Sequence, residues 1–286
     1  MLQIEDVASA YWGEEPIRRL LERRKEYIEW GGDKKSIREC YILDNWDEIR
    51  AVTDEFLSVS KKNVIIDIST LPKRFFFSIM RRLLETSTSD TIIATYTRPE
   101  KYDTSRPLAI DPEPWRALSG FQEAYPEPKR KMLIVGLGYE PLGLPQILKE
   151  GNFAGESIRL LFPFPATPAG YLRNWEFVRN LDSEVGPYQH DPVRVNGYDL
   201  SGIFDYIRAI TDHGREYAVF APYGTKPMSL AMCLYAIYNT EKAAVYYTQP
   251  LSYNPRYSTG IKMVDGIPET YAYCLRLNRR NLYTLD

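Results

Sequence analysis

Two short stretches place a lysine where an apolar run gives way to a helix-like one. The first is Ser69-Thr70-Leu71-Pro72-Lys73 and the second is Tyr223-Gly224-Thr225-Lys226-Pro227. At a helix start the first backbone N–H groups have no internal partner, and the helix dipole adds positive potential. An anion, typically a phosphate, is stabilised there. Gly224 lets backbone approach a ligand, Ser69, Thr70 and Thr225 offer hydroxyls, and Lys73 and Lys226 bring charge. Pro72 and Pro227 suit a first helical turn, where a missing N–H is harmless. Capping alone explains either stretch taken singly; the lysine in both favours a ligand site.

The two stretches belong to longer copies of one unit. NVIIDISTLPKRFFFSIMRRLL and AVFAPYGTKPMSLAMCLYAIY align without gaps, Ser69–Pro72 falling on Gly224–Pro227. Each copy then leads through a strand to the same pattern, YTxPxxY, at Tyr96–Tyr102 and Tyr247–Tyr253. Such self-similarity marks an internal structural repeat. A third turn at the same expected edge is Gly136-Leu137-Gly138-Tyr139-Glu140. Its next glycine is Gly143, so the spacing is GxGxxxxG rather than that of a dinucleotide fingerprint, and no GxxxxGK[ST] occurs. Asp67, a carboxylate in an apolar run, is either a structural group paired with Lys73 or nearby hydroxyls or a general base. Glu140, able to bond a ribose hydroxyl unless its turn is only a tight one, is the other acid/base candidate. Arg98 and Arg256 stand in the two tyrosine loops, where they can meet phosphate or stack on a base.

The elements that must hold these residues alternate. Helices are expected over 15–29, with Ile17, Leu20, Leu21 and Ile28 as the apolar face, and over 46–60, 72–85, 171–181, 201–213 and 227–238, with a short one from 141 to 151. Strands are expected at 40–43, 63–69, 91–97, from 131, and at 157–165, 193–198, 217–222 and 243–249. The run NVIIDIS reads as buried on both faces, and 271–277 as an antiparallel edge strand. This alternation predicts an α/β fold, Rossmann-like and doubly wound, with mostly parallel sheets and an internal pseudo-repeat. The expected organisation is an N-terminal half (1–105), an irregular connecting segment (106–130) and a C-terminal Rossmann-like half (131–286).

The 286 residues suffice for a sizeable core, and a net charge of −2 argues against a protein that coats nucleic acid. Cys40, Cys233 and Cys274 are widely spaced and only two histidines occur, so neither disulfides nor a zinc site is expected. No signal-like start or membrane-length apolar run is seen, which points to a soluble cytoplasmic protein. Tyrosines number 22 against 11 phenylalanines, which suits either a ring-lined ligand surface or an aromatic-rich fold with exposed hydroxyls.

The segment GTKPMSLA (224–231), with the glycine turn at 136–140, resembles the CARF (CRISPR-associated Rossmann fold) family over roughly residues 131–250. The resemblance implies ligand contacts from Gly136, Gly138, Tyr139, Glu140, Tyr223, Gly224, Thr225 and Lys226, joined through the repeat by Ser69, Thr70, Lys73, Tyr96, Arg98 and Tyr247. It implies a nucleotide ligand, such as a cyclic oligonucleotide second messenger, and a sensor or effector role in prokaryotic antiviral defence alongside a partner protein. It also implies a homodimer, or an internal repeat that imitates one. A nucleotide-processing enzyme (nucleosidase, NAD-cleaving enzyme or cyclic-nucleotide nuclease) and a protein-interaction scaffold are the rival readings.

Overall fold

Apolar runs alternating with helix-forming segments build a mixed α/β protein. A computed structural model describes all residues except 10, 61, 87, 104, 125–131, 139–143, 145–157, 166–167, 186–189 and 286. The chain opens with β1 (Leu2–Glu5), α1 (Glu15–Glu29), β2 (Arg38–Tyr41), α2 (Trp46–Val59), β3 (Asn63–Asp67), α3 (Lys73–Thr86) and β4 (Thr91–Thr97). Three short strands follow, β5 (Pro99–Tyr102), β6 (Ala109–Pro112) and β7 (Arg116–Ala117). Next come β8 (Met132–Gly136), β9 (Ile158–Phe164), α4 (Pro168–Val185), β10 (His190–Asn196), α5 (Leu200–Ile210), β11 (Ala218–Pro222), α6 (Lys226–Tyr238) and β12 (Ala243–Tyr247). The chain continues through β13 (Pro250–Tyr253), β14 (Ser258–Ile261), β15 (Met263–Val264), β16 (Ile267–Pro268), β17 (Thr270–Leu277) and β18 (Arg280–Asn281). Apart from Leu144, which is buried, the expected helix over 141–151 lies outside the described residues.

Two sheets carry the two copies of the repeat. The larger has the order β10-β9-β8-β11-β12-β7, parallel throughout except where β7 meets β12. Strand order therefore reverses between β8 and β11, whose last residues Gly136 and Pro222 are paired. The smaller has the order β18-β17-β4-β3, with β3 parallel to β4 and β17 antiparallel to both neighbours. The 271–277 strand is thus antiparallel as expected, but it lies inside its sheet. Conversely β3 is an edge strand: Val64 is buried while Ile65 is 66% exposed, so the run expected to be covered on both faces is covered on one. The described part of the connecting segment 106–130 is more regular than expected, because β6 and β7 pair with β13 and β12.

Helix α6 fixes the layout. Every residue from Pro227 to Ile237 is buried, so the helix must be enclosed on all sides. It packs on α3, α5, β11 and β12, and α3 answers with Phe75, Phe76 and Phe77, all at most 1% exposed. Helix α2 begins at a capping box, Asn45 accepting from the Asp47 and Glu48 amides while Glu48 accepts from Asn45. Helix α1 spans the expected residues, but Ile17, Leu21 and Ile28 are exposed; its expected apolar face does not enter the core. Cys40, Cys233 and Cys274 are free thiols. Among the described residues no helix is long and apolar enough to cross a membrane, and no His, Cys, Asp and Glu cluster suits a metal ion.

Candidate functional site

The repeat seen in the sequence is a repeat of structure. In each copy a strand leads through the turn into a helix and then into a second strand parallel to the first, β3-α3-β4 and β11-α6-β12. The YTxPxxY pattern then folds alike twice. Tyr96 and Tyr102 bring their hydroxyls to 3.4 Å, and the Tyr253 hydroxyl interacts with Tyr247 while accepting from Gln249 at 3.1 Å.

The copies face each other through their helix starts. Lys73, the first residue of α3, donates from Nζ to the Gly224 carbonyl at 3.3 Å. Lys226, the first residue of α6, donates to the carbonyl of Leu71, its own counterpart in the alignment. The Lys73 ammonium lies 5.3 Å from the Tyr247 ring centre and that of Lys226 lies 5.2 Å from Phe76. Two positive helix ends and two ammonium groups thus converge. Among the described residues neither lysine meets a carboxylate within ion-pair distance.

Burial weakens the hold of both lysines on their protons. Desolvation, then the charge of Lys226, holds Lys73 well below the ordinary lysine range. Desolvation pushes Lys226 down to about 7. Lys73 is buried and Lys226 partly exposed, so the second faces solvent more readily. Uncompensated cationic groups held at helix N-termini are the electrostatic opposite of an anion and are relieved by one.

The remaining expected residues divide between this site and its frame. Gly138 and Gly224 let turn pack on turn: a Cβ on Gly138 would lie 2.0 Å from the Tyr223 carbonyl oxygen, and one on Gly224 would lie 3.1 Å from that of Leu137. A Cβ on Gly136 would meet Met228 Sδ at 2.6 Å. Thr225 Oγ1 donates to the Gly197 carbonyl at 2.6 Å and accepts from the Met228 amide as N-cap. Ser69 Oγ donates to the exposed Asp67 and accepts from the Thr97 amide at 2.8 Å. Asp67 also accepts from the Ser69 amide, which makes it a turn brace between β3 and β4. Thr70 is exposed. Buried Tyr223 lies 5.8 Å from Tyr247, ring to ring. Tyr139 and Glu140 lie outside the described residues.

Sequence inspection missed a second cluster beside these turns. Tyr198, just after β10, lies nearly parallel to Tyr96 at 6.2 Å and to Tyr271 at 5.1 Å. The Arg98 guanidinium sits 5.0 Å over the Tyr198 ring and is paired with Glu269 at 3.2 Å. Tyr271 donates to Glu269 at 2.6 Å, and this bond, foremost, keeps the Glu269 carboxyl low. Arg98 is therefore at the site with its charge already matched. Arg256 is elsewhere, bonded to Glu15 of α1 at 3.1 Å. Nothing repetitive marks Tyr198 or Glu269; only the tyrosine excess hinted at a ring cluster.

Fold and geometry together define an α/β protein whose two repeat units abut through lysine-bearing helix starts. No protein-family model matches the chain, and no curated protein matches it.

Proposed function

We propose that the protein is a nucleotide-binding sensor or effector component of a prokaryotic antiviral defence system, working in the cytoplasm, with a cyclic oligonucleotide among its candidate ligands. The observation that carries the binding part is the facing pair of helix starts, whose lysines, Lys73 buried and Lys226 partly exposed, meet no carboxylate among the described residues. The parallel order β10-β9-β8-β11-β12 supports a Rossmann-like, doubly wound C-terminal half, since it places a topological switch at the turns after β8 and β11. Ligands of open α/β sheets bind at such a switch point. Tyr198 and Arg98, backed by the buried Tyr96, add flat, partly polar surface beside it, suited to a base. The defence role rests on the resemblance of 136–140 and 224–231 to the CARF family.

The test is a thermal-shift and calorimetric panel of NAD, ATP and cyclic oligoadenylates. A saturable shift without turnover, lost in Lys226→Ala and Lys73→Ala variants that still fold, is the expected result. Product formation would move the protein to the nucleotide-processing enzymes. Silence across the panel would refute nucleotide binding.

A further inference from the structure

We infer that the cleft between α4 and β10 binds a small flat ring bearing a carboxylate. This second site goes beyond nucleotide sensing and shares no residue with the lysine-bearing turns. The cleft has a volume of about 190 Å³ and is lined by Phe162, Phe164, Tyr171, Trp175, Pro192 and Arg194. The backbone explains why these six meet. Phe162 and Phe164 alternate along β9 and so share one face, and Arg194 of β10 is registered opposite Phe162. Tyr171 and Trp175 stand about one turn apart on α4 and meet those phenylalanines. Strand β10 is the last of its sheet, so no further strand closes the cleft, and the Trp175 indole is left 43% exposed.

Phe162 meets Trp175 at 47°, Phe164 meets Tyr171 at 61° and Tyr171 meets Trp175 at 77°, with ring centres 5.2 to 6.3 Å apart. Rings set at such angles bound a box instead of stacking shut. Its volume suits one ring with a short substituent, since a cavity of about 150 Å³ holds benzene. Charge selects the substituent. The Arg194 guanidinium stands 5.3 Å over the Phe164 ring, and among the described residues it donates no hydrogen bond and meets no carboxylate. A cationic guest, which aromatic walls otherwise suit, would face that guanidinium as a like charge. A neutral ring laid over it would strip water from its N–H donors and accept nothing in return. A carboxylate accepts from the guanidinium in a charge-assisted pair, while the ring it carries packs on Trp175.

The probe is 4-fluorobenzoate, followed by fluorine NMR with the full chain. The matching benzylamine and benzyl alcohol present the same ring with a positive and with no charge. Saturable line broadening is expected for the carboxylate, with a Kd of about 1 mM or tighter, as suits about ten non-hydrogen atoms. The amine and the alcohol should bind about tenfold more weakly or worse. Arg194→Gln is expected to weaken the carboxylate about tenfold, and Trp175→Ala to abolish its binding. Both side chains are exposed, so the variants should keep the fold, which circular dichroism checks. A carboxylate that does not saturate, or an amine that binds as well, overturns the inference. So does an affinity that neither Arg194→Gln nor Trp175→Ala moves. Lys226→Ala separates the two sites: it should leave 4-fluorobenzoate unaffected, and loss of binding there would put the benzoate at the turns and overturn the cleft. Benzoate binding in a protein that ignores every nucleotide refutes the nucleotide reading and spares the cleft.

Discussion

Replacing Lys226 by methionine is expected to stabilise the protein at neutral and acidic pH, although it deletes a hydrogen bond. A lysine carried from 10.5 to about 7 by folding loses about 5 kcal/mol of stability once both native and unfolded chains are protonated, that is, below pH 7. Between pH 7 and 10.5 the unfolded chain holds more protons than the native one, so stability climbs with pH across that window and the penalty vanishes above it. Partial exposure of the side chain and local water entry reduce the figure, roughly halving it. The lost bond to the Leu71 carbonyl takes back about 1 kcal/mol. The net expectation is a gain of about 1–2 kcal/mol at pH 6. Urea unfolding of parent and variant at pH 6 and pH 9.5 measures it, and removal of the Lys226 charge, which lowers the Lys73 pKa in the parent, adds to the gain. The gain should shrink towards zero or change sign at the higher pH. A variant that is less stable at pH 6, by an amount independent of pH, would show that the ammonium is well compensated, and the electrostatic case for an anion site would fall.

Other substitutions probe the frame. Gly138→Ala puts a Cβ 2.0 Å from the Tyr223 carbonyl oxygen, and because the obstacle is backbone the turns must part; a loss of about 1–3 kcal/mol is expected in urea unfolding. Tyr235→Phe removes a buried hydroxyl that donates to Thr211 Oγ1 at 2.7 Å and accepts from Asn239, which should cost about 1–3 kcal/mol by the same assay. Asp67→Ala frees Ser69 from its brace and should lower stability by about 1 kcal/mol while leaving any nucleotide affinity unchanged; a loss of turnover or binding at intact stability would return Asp67 to chemistry.

What the sequence revealed was local and repetitive. The gapless alignment of Ser69–Pro72 with Gly224–Pro227, and the twofold YTxPxxY, reported a real repeat because turn chemistry and strand–helix periodicity are written in neighbouring residues. That the two turns would meet was not legible: it depends on α6 being buried all round and on the sheets it joins, which are contacts across about 150 residues of chain. The same limit explains β3. Five residues of β-branched and polar type do not say which face a neighbouring layer will cover, and Ile65 was left to solvent. The roles expected of Ser69, Thr225 and the glycines were chemically sound, but the hydroxyls and close approaches serve the turns themselves. Tyr198 and Glu269 came from outside the repeat, so no internal comparison pointed to them.

The antiparallel partner of β4 is β17, about 180 residues further along the chain. As the ribosome delivers the polypeptide from its amino end, Thr91–Thr97 must wait with one flank bare until Thr270–Leu277 emerges. Closing so long a loop is slow, and an unpaired edge invites pairing with other chains meanwhile. Removal of residues 270–286 should therefore harm the early part of the chain most, leaving β4 sticky and the lysine-bearing turn of α3 without firm support. Expression of that shortened chain as aggregate, rescued by supplying the 270–286 peptide in trans, is the behaviour this topology dictates.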